Sequence, residues 1–174
     1  RTISLPDIRP WTHDTPVLYT VELTLHDAGG NLLEVVPYRT GFRRFEMING
    51  VMCLNGERIV FRGVNRHEWN PATGRAIGAE DMRRAMATFR RNNINAVRTC
   101  HYPDQSMWYD LCDENGIYMI AEANLETHGT WQGTNGYDLR RHVPGDLPEW
   151  KDCCVDRARS LFEQDKNHTA ILLW

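Results

Sequence analysis

Val97-Arg98-Thr99-Cys100-His101-Tyr102-Pro103 is the stretch that decides the fold. It closes the short β-branched run that begins at Ile94, and a helix signal opens at Asp104, so polar side chains stand just past the end of a buried strand. Two other segments repeat the arrangement: Gly63-Val64-Asn65-Arg66-His67-Glu68-Trp69 and Glu122-Ala123-Asn124-Leu125-Glu126-Thr127-His128-Gly129. Each follows an apolar run, and the first leads through a short loop into a helical pattern. Alternating strands and helices gather the three polar clusters at one rim of a parallel sheet, where α/β barrels build their active sites. Three unrelated polar loops would leave unexplained why Arg, His, Asn and Glu all fall just beyond strands.

Working outward, Glu80 to Asn92 carries Met82, Met86 and Phe89 on one face at helical spacing. Asp104 reads as the N-cap of a helix with Met107, Trp108, Leu111 and Cys112 inward, stopped by Asn115-Gly116. Ile117 to Ala121 is a further strand. Pro148 suits the first turn of a last helix whose Trp150, Cys154, Ala158, Leu161 and Phe162 share a face, and Ala170 to Trp174 begins a fourth strand. Four strands and three crossover helices make half of an eight-stranded barrel. A half barrel leaves sheet edges unpaired, so the chain is expected to be a piece of a longer polypeptide; the alternative is a small open α/β domain.

The amino-terminal part has a different texture. Tyr19 to Leu25 alternates as a half-buried strand does, Ala28-Gly29-Gly30-Asn31 is a turn, and Leu32 to Val36 is a return strand. A second hairpin runs from Phe42 to Ile48 and from Val51 to Leu54 around Asn49-Gly50, and Asn55-Gly56 turns into Ile59 to Phe61. The fold class is therefore α/β: the first half of a (β/α)8 TIM barrel, residues 42–174, preceded by terminal strands of an immunoglobulin-like β-sandwich, residues 1–41.

Composition sets outer limits. The 174 residues carry a net charge of −3, with Lys and Arg scattered among acids, which excludes the basic face of a nucleic-acid binder. No apolar run reaches membrane-spanning length. The pairs Arg43-Arg44, Arg83-Arg84, Arg90-Arg91 and Arg140-Arg141 read as solvated surface or salt-bridge partners. Five cysteines without zinc-ligand spacing read as free thiols and favour a reducing, cytoplasmic location.

Among residues that could carry chemistry, Glu126 and His128 lie two apart beyond a strand, so their side chains could share one cation. Two ligands do not specify a metal, and a hydrogen-bonded structural pair remains open. Arg98 can hold a carboxylate ionised by a two-pronged contact or serve a structural ion pair, and His101 can bond a hydroxyl or buffer a proton. His67 lies in a dense cluster with Asn65, Arg66 and Glu68. His13, His26, His142 and His168 read as surface or cap residues.

These segments, with Gly41-Phe42-Arg43 and Asp165-Lys166-Asn167-His168, resemble the β-galactosidases of glycoside hydrolase family 2 over essentially the whole chain. The resemblance implies a retaining hydrolase that releases terminal β-D-galactose from β-galactosides such as lactose. It implies that Glu126 and His128 ligate an active-site Mg2+, with Na+ a second candidate ion. It implies that His67 and His101 bind galactosyl hydroxyls in the transition state, that Arg98 keeps the nucleophilic carboxylate ionised, and that Asn124 lies near the same pocket. Ala121 stands where an aspartate is common, and Thr169 where a proline is common. The catalytic acid/base and nucleophile are expected from later strands, so the isolated chain is expected to be inactive. The remainder of the parent polypeptide and a homo-oligomeric assembly are the expected partners, with no nucleic acid and no membrane. Two readings compete: a non-catalytic folding or interaction module that joins a complementary fragment, and a β-glucuronidase or β-mannosidase relative without a magnesium requirement.

Overall fold

The computed structural model describes residues 4–131, 143, 145 and 147–174. Arg140, Arg141 and His142 lie outside the described residues. Three sheets follow one another along the chain. Strands β1 (Tyr19–His26) and β2 (Leu32–Thr40) form an antiparallel pair. Its turn is fixed by Asp27, whose carboxylate accepts hydrogen bonds from the backbone N–H of Gly29 and of Asn31, both at 2.8 Å. β2 runs past Val36 through Pro37, which a two-stranded edge tolerates because it need not donate to a second neighbour. The hairpin leaves Leu23, Leu25, Leu32 and Leu33 more than half exposed.

Strands β3 (Phe45–Ile48) and β4 (Val51–Leu54) close around Asn49-Gly50, both at positive φ, the conformation that such a two-residue turn demands. Ile59–Phe61, expected as the first strand of the half barrel, is not a strand: β5 (Glu57–Arg58) pairs with β4 ahead of it, and the parallel sheet begins after it, at Gly63. Ile59 instead packs its side chain against the core.

The third sheet is the parallel one anticipated from the sequence, in the order β6 (Gly63–Arg66), β7 (Ala96–Thr99), β8 (Tyr118–Ile120), β9 (Ile171–Leu173). Helix α1 (Ala79–Arg91) joins β6 to β7. Its start is held by the Asp81 carboxylate, which accepts from the Gly78 backbone N–H at 3.1 Å and from Asn70 Nδ2 at 2.7 Å. Helix α2 (Ser106–Asn115) joins β7 to β8 and ends on Gly116 at φ 69°, the left-handed stop that Asn115-Gly116 predicts. After the short helix α3 (His128–Trp131), helix α4 (Lys151–Asp165) leads to β9. The core between sheet and helices contains Met82, Met86, Val97, Trp108, Tyr109, Ile117 and Met119, all almost fully buried.

Several sequence expectations are corrected here. Asp104 does not cap α2; Gln105 occupies that position while the Asp104 carboxylate turns inward to Arg66. Only Cys154 and Leu161 of the expected α4 face are buried, and Trp150, Ala158 and Phe162 are exposed. Arg43 is not solvated: its guanidinium donates to the carbonyls of Thr169, at 2.6 Å, and Ile171, at the entry to β9. His168 is likewise half-buried, with Nδ1 2.7 Å from the Asp113 carboxylate, and His13 Nδ1 bonds the Gly116 carbonyl at 2.7 Å.

Candidate active site

The parallel register places the polar residues of successive strands side by side. Asn65 of β6 stands opposite Arg98 of β7, which stands opposite Ile120 of β8, two residues before Glu122. Arg98 is thereby delivered to Glu122, to which its Nε donates, while Nη1 reaches Asn65 Oδ1 at 3.5 Å. Within the chain Arg98 thus has a carboxylate partner just past the end of β8.

His101 stands where two demands meet. Arg98 Nη2 lies 3.2 Å from its Nδ1, which an N–H donor can approach only if that nitrogen carries no proton. Carboxylate oxygens of Glu122 and Glu126 lie 3.4 and 3.6 Å from the same nitrogen, so a guanidinium and two carboxylates converge on one edge of the ring. His67 crosses His101 edge to face with ring centroids 5.5 Å apart, and its Nδ1 is 3.2 Å from the Tyr102 hydroxyl. That hydroxyl also accepts from the Glu68 backbone N–H at 3.2 Å, so Tyr102 ties the β6 segment to the β7 segment.

Beneath this layer lies a buried ionic cluster that the sequence did not reveal. Arg66 lies with its guanidinium carbon 3.9 Å from the ring centre of Trp108, donates to Asp104 and approaches Glu68 at 3.4 Å. Glu68 in turn accepts from the Gln105 backbone N–H at 3.1 Å, which supplies the anion at the start of α2. Burial, strengthened by the Glu68 charge, pushes the Asp104 carboxyl up to about 6 despite the Arg66 contact. A pairing of Arg66 with a residue 38 positions away has no local sequence signature.

Glu126 and His128, expected to share a cation, are in contact. The Glu126 carboxylate accepts from the His128 backbone N–H at 3.0 Å and bonds the ring Nδ1. These bonds hold its carboxyl below the usual range, so Glu126 is a carboxylate at neutral pH and unsuited to donate a proton. Its second oxygen is the one near His101. The carboxylate beside a cavity with room for water fits a hard divalent ion that keeps several waters, while the imidazole is an unusual partner for so hard an ion.

Arg98, His101, Glu122, Glu126 and His128 line a cavity of about 550 Å3, completed by Ile120, Ala121, Ala123, Leu125, Thr127 and Trp174. His67 reaches this group through His101. Asn124 lies apart: the backbone turns between Ala123 and Leu125, and Asn124 lines a smaller cavity of about 200 Å3 with Trp150, Cys153 and Arg157, whose Nη1 donates to the Asn124 carbonyl at 2.9 Å. Among the described residues, no helix is long and apolar enough to cross a membrane.

Residues 45–174 match the family described as glycosyl hydrolases family 2, TIM barrel domain, and residues 2–43 match a second profile, glycosyl hydrolases family 2. The chain is 52% identical over 172 residues to the beta-galactosidase large subunit of Lactobacillus acidophilus, covering 98% of this chain and 27% of that protein. It is 54% identical over 164 residues to the beta-galactosidase of Halalkalibacterium halodurans, covering 94% and 16%. Among solved structures, beta-glucuronidase 3 of Bacteroides uniformis superposes with a TM-score of 0.79 at 30% identity, covering 99% of this chain and 20% of that one. A beta-galacturonidase of Eisenbergiella tayi bound to galacturonate gives 0.79 at 27% identity, covering 99% and 28%. The chain thus spans between about a sixth and about a quarter of the length of these curated relatives.

Proposed function

The chain belongs to glycosyl hydrolase family 2, and from that membership we propose that the protein carrying it is a retaining β-galactosidase that releases terminal β-D-galactose from substrates such as lactose. One observation carries the choice of a neutral sugar over a uronic acid. The only Lys or Arg side chain lining the cavity among the described residues, Arg98, is engaged by Glu122, and Glu126 adds a second carboxylate. That lining repels the carboxylate of a uronide and accepts the hydroxyls of a neutral hexose. The relatives of about half identity named beta-galactosidase support the same choice.

In this reading His101 and His67 bond galactosyl hydroxyls, and bonds that strengthen as positive charge develops at the anomeric centre lower the barrier. Arg98 holds a carboxylate ionised and oriented, and Asn124 stabilises the loop from behind. Later strands supply the acid/base and the nucleophile, so the 174 residues alone are inactive. Glu126 and His128 would hold Mg2+, with Na+ a second candidate ion. The bound cation would supply a Lewis-acidic centre for water and hydroxyl oxygens at the cavity edge. Assembly as a homo-oligomer and a cytoplasmic setting complete the proposal, the latter supported by five free cysteines.

The test is hydrolysis of aryl β-galactosides and aryl β-glucuronides by the full-length protein and by this chain, with and without Mg2+. Galactoside hydrolysis confined to the long form and raised by Mg2+ is expected. Preference for the glucuronide would refute the charge argument, and activity in the short chain would make Glu122 or Glu126 catalytic.

A further inference from the structure

Cys100 plays no part in the reading above, yet it stands with the two histidines of the site. Ligand atoms of His67, Cys100 and His101 all lie within 4.8 Å of one another. Sulfur with two imidazole nitrogens is a donor set for a borderline or soft cation, and it contrasts with the oxygen-rich neighbourhood of Glu126. The surroundings already orient the rings. The Tyr102 hydroxyl occupies His67 Nδ1 and leaves Nε2 to meet a cation. Arg98 Nη2 lies 3.2 Å from His101 Nδ1, so the neutral ring carries its proton on Nε2; a cation that binds Nε2 shifts that proton to Nδ1, where the Glu122 carboxylate, 3.4 Å away, accepts it as carboxylates do behind metal-bound imidazoles. His67 is exposed and has the rotamer freedom to draw in to bonding distance, whereas Cys100 is held, its thiol donating to the Arg66 carbonyl at 3.4 Å.

We propose that His67, Cys100 and His101 form a binding site for a zinc-class cation, and that a cation there blocks the His67–His101 edge of the cavity and inhibits hydrolysis in competition with the glycoside. The binding half stands on geometry; the inhibitory half rests on the glycosidase reading. On binding, the S–H bond breaks and a metal–sulfur bond forms. The thiol proton leaves to solvent, a water takes the fourth position, and no electron is transferred.

The experiment uses the full-length protein, titrated with Co2+ as a spectroscopic probe of thiolate ligation and then with Zn2+. We expect one cobalt–thiolate charge-transfer band per chain, displaced by Zn2+, lost in Cys100→Ser and in Cys100→Ala, and kept in Cys153→Ser. Zn2+ should raise KM for an aryl β-galactoside at least tenfold with kcat little changed, and Cys100→Ser should need at least tenfold more Zn2+ for the same effect. Absence of the band in the unmodified protein, or its survival in both Cys100 variants, overturns the site. Zinc bound through Cys100 with KM unchanged overturns the inhibitory half. If no galactoside is hydrolysed at all, the glycosidase reading fails while the cobalt band still decides the site.

Discussion

Replacing Asp104 with asparagine removes a proton-binding group from the centre of the molecule without changing its shape, and the resulting pH dependence can be worked from the structure. The Asp104 side chain is fully buried; one oxygen meets Arg66 and the other, Oδ1, has no hydrogen-bond partner among the described residues. Desolvation therefore outweighs the attraction of Arg66 and, with the nearby Glu68 charge, raises the carboxyl from 3.8 to about 6. Because the folded state holds this proton more tightly than the unfolded chain, it binds more protons between about pH 4 and 6. The contribution is fully present below pH 4 and is lost as pH rises through 6. Two pH units at 1.36 kcal/mol each make it about 3 kcal/mol. The substituted amide cannot titrate, so between pH 4 and pH 7 the parent should lose about 3 kcal/mol of unfolding free energy relative to Asp104→Asn. Urea denaturation followed by tryptophan fluorescence across that range measures the difference. Parallel stability curves would refute the burial argument, and an opposite slope would mean that Arg66 dominates.

Other changes have equally definite outcomes. A Cβ on Gly116 would lie 2.3 Å from the His13 carbonyl oxygen at φ 69°, so Gly116→Ala should cost at least about 2 kcal/mol in denaturant unfolding; a loss below about 0.5 kcal/mol would show that the His13 segment yields freely. His101→Ala in the full-length protein should lower kcat/KM for an aryl β-galactoside about 10- to 100-fold, the equivalent of one charge-assisted hydrogen bond, while the unfolding midpoint holds. A fall in the midpoint instead would assign His101 a structural role. Arg98→Lys keeps the charge but loses the planar fork that reaches Glu122 and Asn65 together, so kcat/KM should drop about tenfold. Near-parental activity would mean that a point charge suffices there.

Most of the parallel sheet was legible because β7, β8 and β9 lie in short apolar or β-branched runs and Gly116 stops α2 as expected, whereas β6, Gly63-Val64-Asn65-Arg66, has no such run and forms just after the apolar Ile59–Phe61 expected in its place. The grouping of Arg98, His101, Glu126 and His128 was legible for a related reason: in a parallel sheet, side chains just past successive strand ends share a rim whatever their helices do. Asp104 misled because its capping chemistry is real but local, and a guanidinium from another strand competes better than a backbone N–H. Arg43 misled because its partners are main-chain carbonyls, which leave no mark in sequence. For α4 the period identified a face, but burial depends on what packs against it, and Trp150, Ala158 and Phe162 meet solvent among the described residues. Asn124 and Glu126 both line the smaller cavity, and of the two Glu126 alone also lines the larger one, because the chain bends at Asn124.

The bonds of Arg43 and Gly41 to the start of β9 join positions 126 to 128 residues apart. During synthesis the acceptors of these bonds are among the last atoms of the segment to leave the ribosome, long after β6, β7 and the helix between them can pair. Closing so long a loop costs roughly 4 kcal/mol of chain entropy, which only a sheet already assembled can repay. The latch is thus a late event in folding. Until β9 arrives, the amino-terminal segment can be held through α2 alone, by Arg39 on Glu114 and Trp11 Nε1 on the Asp113 carbonyl, and variants at Arg43 should slow the final docking step while leaving earlier pairing of β6 with β7 unchanged.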